Sequence, residues 1–415
     1  MSGLASEKLH ILHVAASLGP ESAAGRLCIS LQQADVQVTA LAVDFPVLAD
    51  AFFFSSFHIM RKLRRRLGQI PLYLFSKRDK VLPWSSLLCG HSLETWVRRF
   101  RPDIVHMHWI GASTIDLSSL RRLSVPIVWT FHDVWPLTAG CHCNMGCEEW
   151  RIGCRHCPQL GAGLLPIDLS SWFFQRKQSA IQQSHITGIA PSRWLAEMTA
   201  QSPLWYGKKI CRLGNALDTK IFAPEDTQKS RRVWGLPDDK PIILFGATVT
   251  TIRYKGFSLL VEALNYLKRQ GVDAHLAVFG ENPSDMDLQF PATNVGYVHD
   301  PVELAALYSA ADVFVAPSMQ DNLPTTVLEA SACGVPSVAF AIGGIPDIIL
   351  QNESGYLAQP FDIKELAYGI RLVLDNPKIR RTWGNRARTH ILDNYESRMV
   401  AQQHIALYQQ VLQRN

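Results

Sequence analysis

Nowhere in the 415 residues is there an unbroken apolar run of the roughly 18 residues that a membrane-crossing helix requires. No spanning helix is expected. The opening stretch MSGLASEKLHILHVAAS has no basic start leading into an apolar core and a small-residue cleavage site, which reads as an uncleaved, cytoplasmic chain. Charge is also sparse: 19% of residues are charged against 47% hydrophobic, which excludes a disordered polyelectrolyte and implies a large core. A net charge of +5 is too small to argue for nucleic acid, and no nucleic-acid partner is expected. No short internal repeat is visible. The nine cysteines are an odd number in a chain without an export signal, so they are expected to stay reduced unless they hold a metal.

What is present reads as alternating parallel strands and helices. Apolar runs at Leu9 to Ala15, Gln37 to Val43, Asp103 to His106, Pro126 to Thr130 and Ile186 to Ala190 each precede a helical or turn-rich stretch. A second series follows at Pro241 to Phe245, Ala274 to Phe279, Asn294 to Val298, Val313 to Ala316 and Ser337 to Phe340. Between the series lies a polar, proline-containing link, and the length suits two domains. The fold class is therefore α/β with two doubly wound sheets. In such sheets ligands sit outside the carboxyl ends of the strands.

The densest chemistry is in SMQDNLPTTVLEASACGVPSVAFAIGGIPD, from Ser318 to Asp347. Seven residues separate Asp321 from Glu329. Asp321, Asn322 and Leu323 lead to Pro324, which suits the first turn of a helix because its missing N–H is unpaired there anyway. The free amides of that helix start favour an anion, typically a phosphate, and Glu329, a turn or more further in, would reach a ribose attached to it. Gly343 and Gly344 close the next strand, where a backbone can approach a ligand. A sugar nucleotide fits these groups. The simpler alternative is a capping acid and a solvated glutamate.

This segment resembles the retaining GT-B glycosyltransferases of family four, on Glu329, Ala330, Gly334, Pro336, Gly343 and Gly344; Asp321 stands where that family has glutamate, and Ser337 follows Pro336 in place of valine. The resemblance implies two facing Rossmann-like domains with a cleft between them. Residues 1–213 would bind the acceptor and 214–395 the nucleotide diphosphate sugar, with a last helix, 396–415, crossing back to the first domain. It implies no cofactor or divalent metal in catalysis. It implies that Asp321 contacts the donor sugar and its phosphate, that Arg253, Lys255 and Gly256 grip the diphosphate together with Asn322, Leu323 and the diglycine, and that His132, in Thr130-Phe131-His132, helps hold the reacting sugar. Asp133, next to it, is placed to orient the imidazole. The loop at Gly19 would handle the acceptor, although it is less glycine-rich than the family's.

Two stretches remain. Cys141, Cys147, Cys154 and Cys157 have five, six and two residues between them, spacings open to structural zinc, to packed free thiols or to disulfides. The run from Trp129 to Trp135 into these cysteines resembles a subset of family-four enzymes that build bacterial exopolysaccharides of the colanic acid type, which implies a glycan acceptor, expected to be lipid-linked. The basic stretch Phe57 to Leu67, after Phe52 to Phe54, has apolar residues at helical spacing. It suits either the anionic inner face of a membrane or an ordinary solvated helix. A rival function, a binding module in which cysteine loop and basic helix engage nucleic acid, leaves Glu329, Lys255 and the diglycine without a role. A third option is another GT-B enzyme such as a sugar-nucleotide epimerase.

Overall fold

The computed structural model describes residues 8–44, 48, 51–53, 58–75, 77–161, 168–249, 253–281 and 288–413. The chain divides into two compact units, one of Met1–Ala216 with Ser397–Asn415, the other of Leu217–Glu396.

The first unit carries seven strands: β1 (His10–Ala15), β2 (Gln37–Ala42), β3 (Phe52–Phe53), β4 (Ile104–Met107), β5 (Ile127–Thr130), β6 (Ile186–Ala190) and β7 (Lys209–Arg212). They form one sheet in the order β3-β2-β1-β4-β5-β6-β7, with every pairing parallel. Every residue of β4, β5 and β6 is buried. Strands covered by helices on both faces read as continuous apolar runs, which is why these were visible in the sequence. The edge strands β3 and β7 were not, because one is two residues long and the other, KICR, is only partly buried. The helix Ser397–Leu412 completes this unit, burying Val400, Leu407, Tyr408 and Val411 against Ile11, Leu27 and Leu31.

The second unit carries β8 (Ile242–Val249), β9 (His275–Glu281), β10 (Ala292–Gly296), β11 (Val313–Ala316), β12 (Ser337–Phe340) and β13 (Gly355–Ala358). Their order is β10-β9-β8-β11-β12-β13, again all parallel. Arg231, held to Asp312 at 2.6 Å, ties the helix Thr227–Val233 beneath this sheet, and Asp312 also accepts the Ile242 amide at 2.7 Å. In both sheets the strand order reverses direction once, between β1 and β4 and between β8 and β11. The crevice at such a reversal, on the carboxyl side, is where doubly wound folds bind ligands.

Candidate functional site

In the second unit three loops leave the carboxyl ends of β8, β11 and β12 and lock together. After β8, Arg253–Lys255 makes a single 3-10 turn, and Gly256 begins the helix Phe257–Arg269 with φ of 72°. Only glycine fits there: a Cβ would lie 1.8 Å from the Pro317 carbonyl oxygen in the loop after β11. Met319 N donates to the Tyr254 carbonyl at 2.7 Å, pinning the same two loops. Lys255 Nζ meets Asp321 Oδ2 at 2.7 Å, the two side chains being 29% and 16% exposed. On its other side the Asp321 carbonyl accepts the Gly344 amide at 3.1 Å, and a Cβ on Gly343, whose φ is 54°, would come within 1.8 Å of that carbonyl. Asp321 thus joins all three loops.

The helix Thr325–Ala332 starts one residue later than expected, with Pro324 as its cap and outside the first turn. Neither Pro324 nor Gly256 supplies a side-chain cap, and neither helix has an acid in its first turn. Two sets of first-turn amides therefore carry their partial positive charge at the carboxyl edge of this sheet, beside Lys255 and the exposed Arg253. That is an arrangement for an anion with more than one charged group. Glu329 is not the solvated glutamate of the simpler alternative. It is 3% exposed, and its Oε2 accepts the Tyr308 hydroxyl at 2.8 Å. Asn322 and Leu323 are buried in the same loop.

In the first unit the carboxyl ends of β1, β4 and β5 gather imidazoles. His132 follows β5, and its Nε2 lies 3.2 Å from His108 Nδ1; His108 Nε2 in turn lies 2.9 Å from His13 Nδ1. His106 bonds Thr130 Oγ1 through Nε2 at 2.8 Å and the Tyr408 hydroxyl through Nδ1 at 2.6 Å. Burial lowers all of these bases: His13 to about 3, His132 to about 4, and His106 and His108 well below the ordinary histidine value. Asp133 does not orient His132. Its carboxylate lies 2.6 Å from His142 Nδ1 and accepts from Trp109 Nε1 at 2.8 Å and Trp135 N at 2.8 Å. Burial would push that carboxyl up, but His142 and these donors together hold it below its usual range. The partner of His132 is His108, which the sequence reading passed over. Gly19 sits in the loop after β1, where its carbonyl accepts the Ser22 hydroxyl at 2.7 Å at the head of the helix Ala23–Gln33.

All nine cysteines carry free thiols. Cys141 and Cys154 are buried, Cys147 and Cys157 partly so. Burial, and then their neighbouring sulfurs, push Cys141 well up; burial raises Cys154 to about 12. Among the described residues, His13, His106 and His108 each offer one ligand atom within 4.8 Å of one another. Beneath the four cysteines Lys177 is buried, its ammonium donating to the Trp135 carbonyl at 2.5 Å and the Thr138 carbonyl at 2.7 Å, 3.6 Å from the Trp135 ring centroid. Burial lowers Lys177 to about 7.

The basic stretch forms the helix His58–Gln69. Phe54 and Phe57 fall outside the described residues. Leu63 (45%), Leu67 (42%), Ile70 (53%) and Tyr73 (69%) are exposed. No described helix is long and apolar enough to cross a membrane. A cavity of about 420 Å³ lined by Gln182, His185 and Lys208 lies at the amino ends of β5, β6 and β7, the wrong end for a ligand of a parallel sheet.

Two sheets in Rossmann order, one with an anion-favouring reversal point, define a doubly wound α/β protein of the Rossmann-like class. The profile described as "Glycosyl transferases group 1" matches residues 226–390, and that of "Glycosyltransferase Family 4" matches residues 19–220. The D-inositol 3-phosphate glycosyltransferase of Pseudarthrobacter chlorophenolicus is 30% identical over 330 residues, 74% of this chain and 71% of that protein. The putative colanic acid biosynthesis glycosyl transferase WcaC of Escherichia coli is 26% identical over 318 residues, 72% of this chain and 73% of its own. Sulfoquinovosyl transferase SQD2 of Arabidopsis thaliana is 26% identical over 318 residues, and the chain spans only 56% of its length. Among solved structures, Anabaena Alr3699/HepE in complex with UDP-glucose superposes with a TM-score of 0.62 at 15% identity, covering 97% of this chain and 100% of that one. The chain belongs to the family-four, group 1 glycosyltransferases, and its fold is GT-B.

Proposed function

We propose that the protein is a retaining hexosyltransferase that moves a sugar from a UDP- or GDP-linked donor to a glycan acceptor, lipid-linked, in bacterial exopolysaccharide or cell-envelope polysaccharide synthesis. The observation that carries the donor half is the set of three locked loops at the β8/β11 reversal, with Lys255 and two uncapped helix starts on one edge. Arg253, Lys255, Gly256, Asn322 and Leu323 hold the diphosphate, Gly343 and Gly344 hold the loop against it, and Glu329 takes the ribose. Asp321 and His132 attend the donor sugar. As the C1–phosphate bond breaks, positive charge grows on the sugar ring and negative charge on the departing phosphate. Lys255, Arg253 and the helix amides stabilise the latter. The acceptor hydroxyl then bonds C1 on the same face while its proton passes to a phosphate oxygen, so no side-chain base is assigned. The first unit, with its Gly19 loop, receives the acceptor.

The relation to WcaC, itself named for colanic acid synthesis, supports the polysaccharide assignment. The apolar face of the helix His58–Gln69, flanked by exposed Lys62, Arg65 and Arg66, supports a cytoplasmic enzyme resting on an anionic membrane, where a lipid-linked acceptor is found. Structural zinc on Cys141, Cys147, Cys154 and Cys157 belongs to the same proposal. Two negative charges on a four-thiolate zinc would offset the buried Lys177 ammonium, which donates to the Trp135 and Thr138 carbonyls. The test is a screen of UDP- and GDP-sugars with a lipid-diphosphate oligosaccharide, following anomeric configuration by NMR, alongside metal analysis and vesicle flotation of Arg65→Glu/Arg66→Glu. Failure of every donor to release nucleotide in the presence of acceptor would sink the proposal.

A further inference from the structure

The histidines at the β1/β4 reversal are more than packing. His13, His106 and His108 lie wholly inside the first unit, 0%, 0% and 1% exposed, the first two on the adjacent strands β1 and β4 and the third directly after β4. Polar rings in a core are retained where each nitrogen has a partner. Here one does not: among the described residues His13 Nε2, buried, has no hydrogen-bond partner. That orphan fixes the direction of the chain.

Each neutral imidazole carries one proton, and each ring-to-ring bond needs one N–H and one bare nitrogen. In the series His13–His108–His132, with contacts of 2.9 and 3.2 Å, the protons must therefore all face the same way. If they face His13, its Nε2 bears an N–H buried with no acceptor. If they face His132, the same atom is a bare lone pair. A buried donor without an acceptor is the rarer and costlier defect. The protons therefore face His132: His13 Nδ1–H donates to His108 Nε2, His108 Nδ1–H donates to His132 Nε2, and the proton of His132 is left on Nδ1. Burial keeps the series uncharged, as the lowered basicity of His13, His108 and His132 requires.

We infer that His13 and His108 are positioning residues that hold His132 in its Nδ1–H tautomer, so that His132 offers the donor sugar a hydrogen-bond donor and not a lone pair. This rests on the reading of His132 as a sugar contact. His106, with both nitrogens engaged by Thr130 and Tyr408 and its ring centroid 4.2 Å from that of His108, clamps the middle of the series and is not free to ligate a metal.

The experiment is long-range 15N–1H correlation of the full chain labelled in histidine, at pH 7.5, with His132 assigned by difference from His132→Ala. We expect the Nδ1–H pattern for His132. His108→Phe should convert it to the Nε2–H form or a mixture and lower kcat about tenfold or more. His108→Asn, whose side-chain amide can still donate to His132, should restore both. The inference is overturned by an Nε2–H pattern in the unaltered protein, by a tautomer that ignores His108→Phe, or by one tightly held equivalent of zinc, nickel or copper displaced on mutating His13. Should His132→Ala turn over normally, the sugar-contact reading falls instead, while the tautomer measurement still stands or fails on its own.

Discussion

Exchanging Lys255 for methionine separates two roles that the 2.7 Å contact with Asp321 leaves superposed. As an ion pair it is worth little: both side chains reach solvent, and exposed pairs contribute at most about 1 kcal/mol to folding. As a preorganised cation facing a departing diphosphate it is worth far more, since losing one such group typically costs about 100- to 1,000-fold in kcat, roughly 2.7–4 kcal/mol. The single variant should therefore unfold near the normal temperature yet turn over at least about a hundredfold more slowly. The double variant Lys255→Met/Asp321→Asn decides the cause. If the damage came only from leaving Asp321 without its partner, removing that charge restores UDP or GDP affinity; if the lysine grips the diphosphate, nucleotide affinity stays as low in the double variant as in the single one. Acceptor-dependent nucleotide release gives turnover, and calorimetric titration with UDP and GDP gives affinity. Recovery in the double variant, or nucleotide affinity within about twofold of normal (some 0.4 kcal/mol) in the single, would refute the reasoning.

Glu329→Gln keeps an acceptor for the Tyr308 hydroxyl, so nucleoside diphosphate affinity should fall while the denaturant midpoint stays in place; Glu329→Ala removes that acceptor and should also lose roughly 1–3 kcal/mol of stability. Equal nucleotide affinity in all three proteins would count against the ribose assignment. Gly256→Ala drives a Cβ into the Pro317 carbonyl from a left-handed backbone and should lower both the melting temperature and donor binding, and an unchanged melting curve would be the contrary result. Acid should unfold the first unit early. His13 and His404 have folded values of about 3 and 4, with His106 and His108 well below ordinary, so between those values and about 6.5 the unfolded chain binds more protons. Their contribution is complete above pH 6.5 and declines as pH falls, by up to about 1.4 kcal/mol per pH unit for each histidine. Urea midpoints at pH 7.5, 6 and 5 measure it, and a flat profile contradicts it.

Much of the second unit was legible because its chemistry is local. Val313–Ala316, the loop with Asp321, the helix with Glu329 and Ser337–Phe340 are consecutive, and each buried strand is a short apolar run whose bounds the structure reproduces. Strand β13, Gly355–Ala358, escaped notice because glycine and tyrosine interrupt its apolar character. The histidine series was illegible for another reason. His13 and His108 are 95 positions apart and meet only because β4 inserts beside β1. The available hint was that His13 lies within one predicted parallel strand, His106 ends another, and His108 follows two residues later. Likewise sequence adjacency made Asp133 the obvious partner of His132, yet the turn after β5 sends its carboxylate toward Trp109 and His142.

The helix Ser397–Leu412 gives the His106 ring its Tyr408 hydroxyl, and it is encoded after the whole of Leu217–Glu396. During translation, then, the later-encoded half of the molecule has all its own strands available while the earlier half still lacks a wall of its interior. Until that wall arrives, Ile11, Leu27 and Leu31 stand open to water on the nascent chain, a stretch of greasy surface that a holding chaperone or a premature partner can reach.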